Sequence, residues 1–228
     1  MSHAYDAAIG LVRSLYDRSI TTPSVLDEAH YFPNAKRFVS RWREIRDEAL
    51  AANLNNMPRF HELMEAQRDI SANDGRDWRL LILKAYGVAM PQNLARCPVI
   101  ASLLEQTPEA VSCVLSYLAP GKHIPVHRGP FRGILRFHLM LSMPNDDSGR
   151  PACVMEIDSV PYRLADGACL LWDDTYPHEV WNRSHAPRIA LLLDVLRPGM
   201  PLHLRIMSHA FMAAARLWMR LTGVTYGG

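Results

Sequence analysis

Short apolar runs that alternate with a period of two, turns marked by Gly, Pro and Asp between them, and the confinement of this pattern to residues 76–198 predict a mainly β fold. The architecture expected is a jelly-roll barrel (a double-stranded β-helix, cupin-like), with N-terminal helices before it and a C-terminal helix after it. The helical part covers about 1–70, the β core about 76–198 and the last helix about 201–221. The 228 residues suit one domain, with no linker and no repeat.

Each element follows from its local pattern. Residues 3–17 read as a helix. "TPSVLDEA" reads as a loop or short turn. In "PNAKRFVSRWREIRDEALAA", Phe38, Trp42, Ile45 and Leu50 are spaced for one apolar helical stripe. Residues 58–68 are a further short helix, and "ANDG" at 72–75 marks a turn. "WRLLILKAYG" and "VSCVLSYLAPG" are apolar runs closed by Gly or Pro and read as strands, with "CPVIASLLEQTP" a short helix between them. "FRGILRFHLMLSMP", "ACVMEIDSVPYRLADG", "ACLLWDD" and "RIALLLDVLRP" continue the strands. "PLHLRIMSHAFMAAARLWMRLTGV" reads as an amphipathic helix. Arg205, His209, Arg216 and Arg220 fall in one narrow sector of it. Such a helix packs over the barrel, or lies on a membrane surface or an apolar partner.

Composition narrows the function classes. A net charge of +2 disfavours a general nucleic-acid scaffold. Cys97, Cys113, Cys153 and Cys169 are well separated and form no CxxC pair, so they read as reduced thiols in a cytoplasmic compartment. "MSHAYDAAIGLVRSLYDRSI" does not read as a signal peptide, because Arg13 interrupts its apolar stretch. No apolar run is long enough to span a membrane as a helix, which leaves peripheral contact at the inner membrane surface through residues 201–221 open.

The chemistry concentrates in "GKHIPVHRGPFRGILRFHL" and "DDTYPHEVWN". His127 and His178 lie 51 residues apart near strand ends, and imidazole suits first-row metals such as ferrous iron. Taken alone, a histidine is more often a hydrogen-bonded structural residue. Arg136 and His138 share parity in one strand and so face one side. A charged arginine in an apolar strand needs an anionic partner. Arg188, opening "RIALLLDV", poses the same demand. That partner is an internal carboxylate or a bound anion.

"LSYLAPGKHIPVHRGPFRGILRFHL", followed by "DDTYPHEVWNRSHAPRIALLLDV", resembles the aspartyl/asparaginyl β-hydroxylase family of iron- and 2-oxoglutarate-dependent oxygenases. The resemblance runs over about 30–200, is densest over 76–198, and rests on "HRGP", "RFH" and "HEVWN…R" in that order. "NLARCP" with "APGKHIPVHRGPF" is most similar to the bacterial lipid A acyl-chain hydroxylases.

The resemblance implies His127 and His178 as iron ligands and Arg188 as the clamp on the distal carboxylate of 2-oxoglutarate. It implies a hydrogen bond from Ser116 to that cosubstrate, His138 near its metal-side carboxylate, Trp78 lining its pocket, and Arg136 turned toward the primary substrate. The cofactors implied are Fe(II), 2-oxoglutarate and O2, and the products succinate, CO2 and a hydroxylated carbon. The substrate class is an anionic acyl, peptide-aspartyl or amino-acid compound, supplied as a small-molecule, lipid-linked or peptide partner. The wider superfamily places a carboxylate ligand two residues after the first histidine. Gly129 stands there in this chain, so water is expected at that position, with Asp173 and Asp174 bracing the loop or contacting His178. Recruiting Asp173, Asp174 or Glu179 as a third ligand is the alternative. Two other classes stay in view: a non-catalytic binding or regulatory protein on the same fold, and a lectin-like or structural jelly roll.

Overall fold

The computed structural model describes residue 10 and residues 12–53 and 57–222. Of the helix expected over 3–17, residue 10 and residues 12–17 are helical, 12–17 forming α1, and 3–9 and 11 lie outside the described residues. The chain continues through β1 (Val25–Leu26), α2 (Glu28–Tyr31), α3 (Ala35–Ser40), α4 (Trp42–Ala51), α5 (Phe60–Leu63) and α6 (Arg68–Ser71). Next come β2 (Trp78–Ala85), β3 (Val88–Ala89), α7 (Pro91–Leu94), α8 (Pro98–Glu105), β4 (Ala110–Leu118) and β5 (His123–His127). The remainder is β6 (Ile134–Ser142), β7 (Cys153–Ile157), β8 (Val160–Tyr162), β9 (Cys169–Trp172), β10 (His178–Asn182), β11 (Arg188–Leu196) and α9 (Leu202–Thr222).

The strands form two antiparallel sheets. One has seven strands in the order β1-β9-β6-β11-β4-β2-β3, and the other has four in the order β5-β10-β7-β8. This corrects the expected jelly-roll barrel. Among the described residues no ladder joins the two sheets, so neither closes into a barrel. Short alternating strands predict two packed β layers, but closure depends on what the edge strands pair with. Here the large sheet ends in two-residue strands at both edges, β1 and β3. Its edges are blunted by shortness, and helices cover one of its faces.

Residue parity assigns the faces of the large sheet. Leu115 of β4, Phe137 and Leu139 of β6, and Leu191 and Leu193 of β11 are fully buried against Phe38, Ile45 and Ile100 of the helices. The other face packs on the small sheet, where Leu118 and Trp172 meet Ile124, Met155, Ile157 and Val180. Alternation therefore turns Ser116, Arg136, His138 and Arg188 toward the small sheet.

Local departures from expectation have local causes. The long helix over 33–52 divides at Arg41 into α3 and α4. "TPSVLDEA" is not all loop: it carries β1, and Asp27 caps α2 by accepting from Ala29 N at 3.0 Å. "ACVMEIDSVPYRLADG" is a hairpin rather than one strand. Asp158 and Ser159 both have positive φ, 51° and 64°, the twist that lets β7 and β8 pair across a two-residue turn.

One buried cation ties the helical part to β5. Lys122 is completely buried, and its ammonium donates to Asp74 Oδ1 at 2.6 Å, Asn73 Oδ1 at 2.7 Å and the Ser71 carbonyl at 2.8 Å. Removing one partner of such a group leaves the other desolvated. Lys122→Ala is expected to cost about 3 kcal/mol in urea unfolding, and a loss well under 1 kcal/mol would show that the pair is not structural.

Candidate active site

His127 ends β5 and His178 opens β10. The antiparallel register places them directly opposite each other, with ring centroids 4.0 Å apart. Each ring donates its Nδ1–H to a carbonyl two residues earlier, Pro125 O at 2.8 Å and Tyr176 O at 2.9 Å. A carbonyl can only accept, so this bond sets the tautomer and leaves Nε2 with its lone pair. Burial lowers both pKa values, that of His178 to about 3, with the neighbouring histidine adding to the shift. The result is two adjacent neutral imidazoles with orientations fixed by the backbone, a donor set that fits a first-row metal ion.

No group of three or more His, Cys, Asp or Glu suited to a metal ion occurs among the described residues. Gly129 explains part of this. A Cβ built there would lie 2.2 Å from Asp174 Oδ1. The space in which residue 129 could carry a side chain is filled by a carboxylate arriving from the β9–β10 connection. The backbones are also tied, Gly129 N donating to Asp174 O at 2.6 Å. Burial raises the Asp174 pKa to about 6, against the pull of Arg136.

Ser116, His138 and Arg188 come from the neighbouring strands β4, β6 and β11 and share one face of the large sheet. Trp78, on β2, donates its indole N–H to Ser116 Oγ at 3.0 Å and stacks on Phe60 at 3.9 Å. It positions the Ser116 hydroxyl. His138 meets Trp172 edge-on at 5.4 Å, and Trp172 meets His178 edge-on at 4.5 Å, so one aromatic row links the histidine pair to His138.

Four unpaired polar atoms lie here. Both ring nitrogens of His138, Nε of Arg188 and Nε1 of Trp172 are buried without a hydrogen-bond partner. Among the described residues the Arg188 guanidinium meets Met140 Sδ at 3.8 Å, and no carboxylate bonds it. A narrow cavity lined by Met140, Cys153, Met155, Tyr162, Val180 and Arg188 opens beside it. Burial lowers the Arg188 pKa, and burial with the nearby Arg188 and Arg136 charges lowers that of His138. Leaving such donors unpaired costs about 1–3 kcal/mol each, more for a charge. This concentration marks a place shaped for an anion.

Arg136, which shares this face, has partners. It donates from Nε to Asp194 at 2.9 Å and pairs with Asp174 at 3.3 Å. Burial works against its charge, and the two carboxylates overcome that and raise its pKa. Its side chain remains 30% exposed. Asp194, its register partner across β6 and β11, was not legible as a site neighbour; parity over the whole of "RIALLLDV" was the available signal. Arg13 of α1, donating to Gly129 O at 3.0 Å, had no local signal at all. Asp173 lies apart from the histidines' chemistry, holding Arg132 and Arg197. Glu179 pairs with His123 at 2.8 Å. A separate hollow of about 400 Å3 lies elsewhere, between residues 19–22 and 198–201. Its buried Arg197 is fully used by Asp173, Thr22 and the Arg132 carbonyl.

Residues 39–198 match the family model described as aspartyl/asparaginyl beta-hydroxylase. The chain belongs to the aspartyl/asparaginyl beta-hydroxylase family. The family segment contains every strand named above from β2 to β11 and both halves of the histidine pair. An ornithine lipid ester-linked acyl 2-hydroxylase of Rhizobium tropici is 32% identical over 77% of this chain and 61% of its own length. The human aspartyl/asparaginyl beta-hydroxylase is 28% identical over 75% of this chain and 22% of its own. The chain thus spans less than two thirds of either relative. A predicted oxalate decarboxylase of Thermotoga maritima, a solved structure, superposes with a TM-score of 0.35 at 12% identity, over 53% of this chain and 81% of that one. The lipid-modifying relative in this comparison is named for ornithine lipid rather than lipid A.

The Gly129–Asp174 contact is directly testable. Gly129→Ala is expected to destabilise the fold by about 1–3 kcal/mol through overpacking. In an Asp174→Ala background the same change should cost much less, and equal costs in both backgrounds, read by thermal unfolding, would refute the contact.

Proposed function

We propose that this chain is an iron(II)- and 2-oxoglutarate-dependent dioxygenase that hydroxylates an unactivated carbon, releasing succinate and CO2. The observation that carries this reading is a buried, carboxylate-free Arg188 on the same face as an unpaired His138, joined through Trp172 to two neutral histidines. A dicarboxylate cosubstrate would answer the first need, and a metal ion the second. Iron with bound 2-oxoglutarate would supply the oxidative chemistry that couples O2 to C–H hydroxylation.

The protein's share is orientation. His127 and His178 would hold the metal through Nε2, their rings fixed by Pro125 and Tyr176. Arg188 would bind the far carboxylate of the cosubstrate, with Ser116, set by Trp78, adding a hydrogen bond and His138 lying near the metal-side carboxylate. Gly129 and Asp174 together would leave a metal position for water, with the Asp174 carboxylate close by. Arg136, tied to Asp194 and Asp174 but still partly exposed, would meet the anionic part of the primary substrate.

Among acyl, peptide-aspartyl and amino-acid substrates, the acyl chain of a lipid-linked compound is the reading supported by the name of the Rhizobium tropici relative. A cytoplasmic setting accords with four free cysteines. A peripheral membrane contact through residues 201–221 belongs to the same reading, in one domain spanning 1–228.

Anaerobic addition of iron(II) and 2-oxoglutarate should give a weak visible charge-transfer band that His127→Ala and His178→Ala lose along with succinate release; a band unchanged in His127→Ala would overturn the assignment. Arg188→Met separates function from structure. Replacing an unpaired buried cation by an apolar side chain should leave the ligand-free protein as stable or more stable, by up to about 1–4 kcal/mol. The same change should abolish thermal stabilisation by 2-oxoglutarate. A variant that is strongly destabilised without ligand would instead mean that Arg188 is a structural residue.

A further inference from the structure

Helix α9 is apolar on two sides. Its inner side buries Leu204, Ser208, Met212 and Met219. Ser208 bonds the Tyr16 hydroxyl of α1 at 3.0 Å, and the approach at Gly133 is so close that a Cβ there would lie 2.4 Å from Ser208 Oγ. The helix is therefore seated on the protein, and that seat explains its inner side alone.

Its outer side remains. Among the described residues, the large apolar side chains left exposed are mostly on this helix: Leu202, Ile206, Phe211, Leu217, Trp218 and Leu221. Leu202, Ile206, Leu217 and Leu221 recur at helical spacing, with exposed Ala210 and Ala213 between them, and make one continuous stripe. Leu221 is 78% exposed. A stripe of this size marks a binding surface rather than scattered surface apolars.

Charge selects the occupant. Residues 201–228 contain no Asp or Glu, whereas Arg205, Arg216 and Arg220 and two histidines lie on the helix. Two copies packed through this stripe would bring arginines together with no acidic residue of the helix to answer them. An anionic surface with an apolar interior answers both features at once. The half-exposed Trp218 suits the headgroup boundary of such a surface.

We propose that the outer face of α9 docks on an anionic lipid bilayer. This deepens the peripheral contact proposed above by naming its surface, and rests on the lipid-substrate reading only for what the site then meets. The surface is coupled to the site. Phe211 of α9 stacks on Phe131 at 4.6 Å, and Phe131 lies four residues beyond His127, in the loop whose Gly129 carbonyl α1 holds through Arg13. Docking would bring the loop that follows β5 close to the bilayer.

The test is co-sedimentation of the full chain with phosphatidylcholine vesicles, with and without about 30% phosphatidylglycerol. Wild type should bind the anionic vesicles, more weakly as salt rises from about 0.1 to 0.5 M. Leu217→Asp/Leu221→Asp should lower the partition coefficient at least about tenfold. Both side chains are solvent-exposed, and Leu217→Gln/Leu221→Gln serves if circular dichroism shows the aspartates unfold the chain. Equal binding of wild type and variant, or no binding of wild type, overturns the proposal. A wild-type dimer that the variant converts to monomer, without lipid binding, would assign the stripe to a second copy. The iron–2-oxoglutarate band, measured on the same preparation, keeps the two readings apart: a band without vesicle binding rejects the docking surface alone, and vesicle binding without a band rejects the oxygenase alone.

Discussion

The arrangement depends on the burial of one face of the three central strands β4, β6 and β11. Leu115, Phe137, Leu139, Leu191 and Leu193 are fully excluded from water beneath the helices. At roughly 1.5–3 kcal/mol for each fully buried large side chain, this layer is the strongest local constraint on register. A slip of one residue in any of the strands would turn its leucines toward the small sheet and its polar residues into the helical core. Ser116, Arg136, His138 and Arg188 face the second sheet because their neighbours cannot.

The polar face built in this way is unevenly satisfied. Arg132 and Arg197 share Asp173, and Arg136 has Asp194 and Asp174. Lys122, although fully buried, has three oxygen partners. Arg188 and His138 have none comparable. Leaving these two groups unanswered among the described residues carries a desolvation cost that a bound anion would offset. The histidine pair shows the complementary economy: each Nδ1 is used on the backbone, and each Nε2 is kept.

Much of this was legible residue by residue. Apolar runs closed by Gly or Pro located the strands β2 and β4, short apolar runs between turns located β6, β9 and β11, and shared parity placed Arg136 and His138 on one side. The motif order around His127 and His178 led to the family that the match over 39–198 then established. Less legible were features that need a partner from a distant segment. Asp194 meets Arg136 only because β11 lies beside β6, and Asp174 fills the space at Gly129 only because β10 pairs with β5. The break at Arg41 and the hairpin at Asp158 and Ser159 were hidden because backbone reversals without Gly or Pro leave a weak local signal.

By itself the sequence determined where most of the long strands lie and to which family the chain belongs. Those properties are written in short-range periodicity and in motif order. Only the tertiary structure decided that the two sheets stay open, because closure depends on pairing between edges far apart in the chain. It also decided which arginines are answered by carboxylates of the chain and which is not, because an ion pair is a matter of angstroms between residues such as Arg136 and Asp194, 58 positions apart.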